Sequence, residues 1–359
     1  MKRRALVAHM RMPETDRDRG SGRVDAMIRF LLDAGWAVTF LSAEEAADPR
    51  HAARLRQLGV ATYAGHDAAV EVIRHGDFDL ALISFWNVGA ALLPLLREHS
   101  PRTRVIIDSQ DVHFLREARR RFGLAGQLDA AVGTGMVDEL NTYRAADAVL
   151  AVSAKEGGLL GDFLGGDRVH DIALGEAADR STIPFEHRRG LLFVGNFRHL
   201  PNGEAVEFLC KDVLPRLDPS LLAAHPLTVI GNRLDARIRG FARGLPGVDM
   251  VGWVPAVAPY LARARVAVAP LLHGAGVKGK VVEAMMTGTP VVTTPIGAEG
   301  LDLVPGVHAM VCTDPADLAA AITRLLVDGQ AWGQMADGAR TAVAASQDMA
   351  AVRARFDEI

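Results

Sequence analysis

The amino-acid sequence predicts an α/β protein built from two Rossmann-like, doubly wound parallel-sheet domains facing across a cleft. Apolar runs of strand length alternate with longer stretches of helical period, the pattern of a parallel sheet covered by helices on both faces. The same grammar restarts at Leu191-Leu192-Phe193-Val194-Gly195. Between the two series, within about residues 175–190, Ser181-Thr182-Ile183-Pro184-Phe185-Glu186-His187-Arg188-Arg189 has no periodicity and reads as a join. At 359 residues the chain also exceeds what one ordinary core holds, at about 100–200 residues per domain.

In the first series, strands are expected at 5–9, 37–42, 80–84, 104–108 and 148–152. A helix over 22–35 follows from Val24, Met27, Ile28, Leu31 and Leu32 at helical spacing, with Gly35 as its stop, and a second runs over 135–146. The second series predicts strands at 191–194, 227–230, 248–251, 266–269, 290–293 and 309–312. Its helices fall at 203–217, 233–243, 257–263, 279–287, 315–327 and 331–344. The expected domains are therefore 1–180 and 181–345, with 346–359 a C-terminal helix that packs back towards the first. Ligands of such sheets bind beyond the carboxyl ends of the strands.

A 49 % hydrophobic, 23 % charged composition excludes disorder, and a net charge of −3 gives no field that would predict nucleic-acid binding. Basic residues cluster at Arg116-Glu117-Ala118-Arg119-Arg120-Arg121, which suits a solvated helix face or a patch for an acceptor or a membrane surface. Cys210 and Cys312 match no zinc or redox spacing and read as reduced thiols. The apolar run Ala5 to Met10 is too short for a signal or spanning segment, and the expected location is cytoplasmic, with membrane contact limited to the periphery of the inner face.

The most informative stretch runs from Pro270-Leu271-Leu272-His273 through Gly274-Ala275-Gly276-Val277-Lys278-Gly279-Lys280 to Val281-Val282-Glu283. A strand ends, a glycine loop follows, and a helix begins near Gly279. Glycines allow close backbone approach, a helix N-terminus presents unpaired N–H groups, and two lysines add charge, a combination suited to a diphosphate. Glu283, expected on the first helical turn, suits two vicinal hydroxyls such as a ribose presents; a helix-dipole role is the alternative. Residues 274–279 also spell GxGxxG, with Glu299 downstream, so a nicotinamide-dependent oxidoreductase stays open as a minor alternative.

Phe193-Val194-Gly195-Asn196-Phe197-Arg198-His199-Leu200-Pro201-Asn202, Gly231, Val251-Gly252-Trp253-Val254-Pro255, the glycine-lysine loop, Glu283-Ala284-Met285 and Gly297-Ala298-Glu299-Gly300-Leu301 resemble, in order, the donor half of family 4 (group 1) retaining glycosyltransferases. Pro13 with Asp18-Arg19-Gly20-Ser21-Gly22-Arg23 looks like that family's first glycine loop, and Asp108-Ser109-Gln110-Asp111-Val112-His113 like its His-bearing loop. The resemblance implies a GT-B fold and transfer of a sugar from a UDP-, GDP- or ADP-sugar to a glycan, lipid-linked or small-molecule hydroxyl, in cell-surface polysaccharide synthesis. It implies no permanently bound cofactor and no obligatory metal. Arg198, Lys278 and Lys280 would meet the diphosphate or the sugar, and Gly195, Asn196, Gly231 and Gly274 to Val277 would line the donor. Gly252 to Pro255, including Trp253 and Val254, would border the base mostly through backbone. Gly20, Ser21 and Gly22, ahead of a helix, would offer amides to the distal phosphate or acceptor. His113, with Asp111, would stand where the family touches the transferred sugar.

Two positions depart from the family. Ala275 stands where a carboxylate commonly holds donor-sugar hydroxyls, and the loop after Gly195 lacks a lysine beside the arginine, a gap Lys278 or Lys280 can fill. A retaining transfer of this kind needs no protein nucleophile, which agrees with the lack of an obvious triad or carboxylate pair. A GT-B-shaped epimerase or hydrolase and a non-catalytic carbohydrate-binding relative are the other readings.

Overall fold

In the computed structural model, residues 2–15, 19–45, 49–175, 181 and 183–359 are described. Asp18 of the first glycine loop and residues 176–180 and 182 of the expected join lie outside them. The chain divides into two compact units, Met1–Ala173 with Arg353–Ile359, and Leu174–Val352.

The first unit holds β1 (Arg4–His9), α1 (Arg19–Asp33), β2 (Ala37–Ser42), α2 (Pro49–Gln57), β3 (Ala61–Ala64), α3 (His66–Gly76) and β4 (Leu80–Ser84). It continues with α4 (Trp86–His99), β5 (Arg104–Asp108), α5 (His113–Ala125), α6 (Ala130–Ala145), β6 (Ala148–Ala151), α7 (Ala154–Leu164) and β7 (Val169–Asp171). Among the described residues these strands make one parallel sheet in the order β3-β2-β1-β4-β5-β6-β7. Its inner strands are apolar on both faces: β4 and β6 are buried at every residue. The last residues of the chain join this unit, where Phe356 packs on Phe30 and Arg353 pairs with Asp33.

The second unit holds β8 (Leu191–Val194), α8 (Leu200–Phe208), α9 (Pro219–Ala224), β9 (Leu227–Ile230), α10 (Ala236–Gly240), β10 (Val248–Gly252), α11 (Ala258–Arg263) and β11 (Val266–Ala269). After these come α12 (Gly279–Thr287), β12 (Val291–Thr293), β13 (Met310–Val311), α13 (Pro315–Val327), α14 (Gly329–Gln347) and the start of α15 (Met349–Asp357), whose residues from Arg353 on belong to the first unit. The sheet order is β10-β9-β8-β11-β12-β13, again parallel throughout. Apolar clusters cover both faces, one centred on Phe193, Val206, Val229 and Leu325, the other on Leu192, Val282, Met285 and Val291. At the unit's entry, the fully buried Arg188 donates to Ile183 O and Thr289 Oγ1 and lies over Trp332. Burial lowers its pKa to about 10.

Both sheets therefore show the doubly wound order, and in both the winding reverses beside the first strand: between β1 and β4, and between β8 and β11. Those switch points are where an open sheet leaves room for a ligand.

Several expected boundaries move. Gly20, Ser21 and Gly22 form the first turn of α1 instead of a loop ahead of it. The helix expected from 135 starts at Ala130, because Asp129 accepts from Val132 N and caps it. The stretch expected as one helix over 203–217 is α8 followed by a π turn at Leu209–Val213 and a 3-10 turn at Leu214–Arg216. The helix expected over 233–243 contracts to α10. Edge strands β3 and β7 carry alternating or half-buried residues and so lack a strong apolar run. Cys210 and Cys312 are free thiols, and burial pushes that of Cys210 up to about 11.

Candidate functional site

In the second unit, three neighbouring strands end on glycine. Gly195 follows β8, Gly231 follows β9 and Gly252 ends β10, tied by Gly195 N–H to Ile230 O and Gly231 N–H to Gly252 O. Gly231 has a φ of 143°, and a Cβ there would lie 1.6 Å from Gly195 O. The result is a ledge of bare backbone that only glycine can form.

Two helices begin beside the β8/β11 switch point. At the N-cap of α8 stands His199 and at that of α12 stands Lys278; neither supplies a side-chain cap, and neither first turn carries an acidic residue. Both dipoles favour an anion, but the amides come mainly from α12, which opens with Gly279 and Lys280; α8 has Pro201, which lacks an N–H, at its second position, and Asn202 N–H bonds His199 O. Lys280, on the first turn of α12, contacts Asn202 Oδ1 and sits 4.6 Å over the Phe193 ring. Asn202 in turn donates to Asn196 O at 2.7 Å, and Asn196 Oδ1 accepts from Arg198 N. This small network joins α12 to α8 and to the exit of β8.

Arg198 is exposed, and its guanidinium has no protein partner among the described residues. Lys278 behaves differently. Its ammonium donates to the carbonyls of Ala275 and Gly276, so it braces its own loop, whose Gly274 and Gly276 have φ of 141° and 73°.

Glu283 is half-buried and lies on the second turn of α12, not the first as expected, because the helix starts at Gly279. Trp253 is 52 % exposed, whereas Val254 is buried in the core and Val277 packs against it. At Val254 only backbone can border a ligand. The literal GxGxxG of residues 274–279 starts beyond Leu271-Leu272-His273 instead of turning tightly off β11, and its would-be ribose partner Glu299 is 9 % exposed in the loop after β12. Sequence reasoning missed Glu204, which reaches from α8 to pair with His273 Nε2. The two are 69 residues apart, and no local spacing signals the contact.

In the first unit, the loop after β5 is built around two buried charges. Arg23 on α1 grips Asp108 at 2.8–3.0 Å and donates to the carbonyls of Ile172 and Ala173. Gln110, at a φ of 63°, also donates to Asp108, and the chain then turns into Asp111 and α5.

His113, the first residue of α5, accepts the Trp86 indole N–H at Nδ1, 3.0 Å away. Its Nε2 lies 3.0 Å from Asp111 Oδ1. Nε2 is buried, and this carboxylate oxygen is what its proton faces. Burial pushes the Asp111 carboxyl up, yet His113 and Arg116 outweigh it and hold it below the ordinary aspartate value.

The first amides of α5 are already taken. Glu139, buried on α6, accepts His113 N at 2.9 Å and Phe114 N at 2.7 Å, as well as the Tyr143 hydroxyl at 3.0 Å. Burial raises the Glu139 pKa in spite of these contacts. Ser21, fully buried, receives Glu14 N on its hydroxyl, while Gly22 has open space where a Cβ would stand.

Among the described residues no group of three or more His, Cys, Asp or Glu is placed to hold a metal ion, and no helix is long and apolar enough to cross a membrane.

Comparison with solved structures finds the same fold along the whole chain. A sucrose-phosphate synthase from Thermosynechococcus elongatus is 18 % identical, with 100 % of this chain and 98 % of that one covered at a TM-score of 0.74. HepE of Anabaena, solved with UDP and glucose, is 13 % identical over 99 % and 98 % at 0.75. A glycosyltransferase from Rickettsia africae is 11 % identical over 99 % and 97 % at 0.73. These likenesses establish the GT-B fold. No curated protein matches the sequence. Residues 188–328, which carry the glycine ledge, both uncapped helix starts, Arg198, Lys278, Lys280 and Glu283, match the family model described as glycosyl transferases group 1. Residues 188–328 are thus similar to the group 1 glycosyltransferases, on a GT-B fold, and the chain is a glycosyltransferase.

Proposed function

We propose that the chain transfers a sugar from a nucleotide-sugar donor to a hydroxyl acceptor with retention of anomeric configuration, the second unit taking the donor and the first the acceptor. The observation that carries this reading is the pair of uncapped helix starts, α8 and α12, at one switch point with Arg198 and Lys280 beside them. A diphosphate fits that charge and that array of donors, and the glycine ledge lets it approach. Lys278 holds the loop in shape, and Glu283 binds the ribose.

Catalysis in this reading is electrostatic. As the bond from the anomeric carbon to the diphosphate breaks, negative charge grows on the leaving oxygen, where the helix amides, Arg198 and Lys280 stabilise it. The acceptor hydroxyl attacks from the same face and gives its proton to that oxygen. His113 and Asp111 orient the transferred sugar. The acceptor is a glycan, a lipid-linked glycan or a small molecule, and the work is done in the cytoplasm, with contact limited to the membrane's inner surface.

The test is thermal melting of the purified protein with UDP, GDP, ADP, NAD and their sugar conjugates. A nucleoside diphosphate at about 100 times its Kd stabilises by roughly 2.7 kcal/mol. Stabilisation by NAD alone overturns the donor assignment in favour of an oxidoreductase. Once a product is in hand, an NMR coupling constant of an inverted linkage overturns retention.

A further inference from the structure

We infer that Trp86 is a positioning residue for His113, holding its imidazole neutral with the single proton on Nε2, so that His113 works as a hydrogen-bond donor and not as a proton shuttle. The indole N–H can only donate. With Trp86 Nε1 3.0 Å from His113 Nδ1, that ring nitrogen must present its lone pair. The proton of the neutral ring is then on Nε2. A second proton would set two N–H groups against each other and forfeit the indole bond.

The backbone holds Trp86 in this place. Phe85, the residue between β4 and α4, has a φ of 73°, a conformation that a bulky side chain adopts only when its surroundings enforce it. Its ring packs between His9 at 5.2 Å and His113 at 5.6 Å, and the next residue, Trp86, meets the imidazole edge-on. Two elements are thereby locked to one histidine.

The charged groups around His113 leave the choice of protonation state to the indole. Asp111 in the preceding loop favours the imidazolium, but Arg116 on α5 shares that carboxylate and weakens its pull. Glu139 from α6 is committed to backbone amides of α5 and to Tyr143. Glu156 from α7 faces Val112 N, and His9 of β1 lies beyond the Phe85 ring. Nε2 is buried 3.0 Å from Asp111 Oδ1, so in this tautomer its proton faces that carboxylate and holds it in place. That the pair orients the transferred sugar rests on the proposed function; the tautomer of the imidazole does not.

The experiment is a two-bond proton–nitrogen NMR spectrum of the imidazoles in 15N-labelled full-length protein, assigned with His113→Gln, for the wild type and Trp86→Phe. In the wild type near neutral pH, Nδ1 of His113 should give a pyridine-type shift and Nε2 a pyrrole-type shift. Trp86→Phe keeps the ring and removes the donor, so Nδ1 loses the bond that fixes the tautomer and its shift should move from the pyridine-type value towards a mixture of the two tautomers. A pyrrole-type Nδ1 in the wild type overturns the proposal even if the variant does not fold. A lower melting temperature in Trp86→Phe with the His113 nitrogen shifts unmoved assigns Trp86 to packing alone and overturns it as well. Failure of the glycosyl-transfer reading shows separately, as loss of nucleoside-diphosphate binding with the His113 spectrum unchanged.

Discussion

The helix that follows β5 and the helix that follows β11 both begin beyond the carboxyl ends of parallel strands, yet their first turns are treated in opposite ways. At α5, Glu139 reaches across from α6 and takes the amides of His113 and Phe114. At α12, the N-cap residue is Lys278, no side chain caps the turn, and Lys280 adds a second cation one residue into the helix. A carboxylate in one place and two ammonium groups in the other turn the same backbone feature into an internal cap and an anion seat. Doubly wound sheets repeat their geometry cheaply. What each end of the sheet can bind is set by a few side chains that reach it from elsewhere.

The largest expected effect attacks the ledge that makes the second seat possible. In Gly231→Ala, the new Cβ would fall 1.6 Å from Gly195 O at a φ of 143°. We expect a loss of at least ~3 kcal/mol in chemical denaturation, or no folded protein. A melting curve close to wild type would mean that the strand ends are not held as described.

Arg198→Ala comes next. Its guanidinium is exposed and makes no described side-chain contact, so the fold should not notice the change. Loss of one charge-assisted contact to a diphosphate should weaken binding by roughly 10- to 100-fold, measured by calorimetry. Lys280→Ala should show a comparable loss of affinity together with some loss of stability, because Lys280 also spans Asn202 and Phe193. Unchanged affinity in both variants would remove the anion seat.

On the other side of the comparison, the Asp111 carboxyl is held below its ordinary value in the fold, although burial opposes this. A lowered folded pKa contributes stability that is present above the unfolded value of about 3.8 and is lost as pH falls through the folded value. The melting-temperature difference between wild type and Asp111→Asn should therefore be full near pH 6 and shrink below about pH 4. A difference that stays constant across that range would mean that His113 and Arg116 do not hold the carboxylate.

The uneven treatment of the two helix starts also explains what could be read from the sequence. Strands β4, β6, β11 and β12 announce themselves because both faces are covered, leaving uninterrupted apolar runs. Strand β3 escaped notice because Tyr63 is 44 % exposed on a sheet edge, and β7 because three half-buried residues make no run. The glycine-lysine loop was legible because its chemistry lies in consecutive residues that enter a helix of matching bounds, Gly279–Thr287. Glu139 and Trp86 were not, since they reach His113 from 26 and 27 residues away with no motif joining them. The Arg23–Asp108 bond, 85 residues apart, is the same case: packing, not spacing, brings such partners together.

The smallest expected effect separates a glycine kept for the fold from one kept for a ligand. Gly22 lies in the first turn of α1, where a Cβ would meet nothing within 4 Å, so Gly22→Ala should leave the fold intact and stabilise it by about 0.5–1 kcal/mol through chain entropy and helix propensity. Gly231 has no such freedom, and the contrast is between backbone that needs glycine to exist and backbone that needs it only to be approached. If the first turn of α1 meets a phosphate or the acceptor, the added methyl should raise KM while the melting temperature rises with it. A variant that is more stable and equally active would show that no ligand comes close to Gly22, and the whole anion-binding role would then rest with the uncapped helices of the second unit.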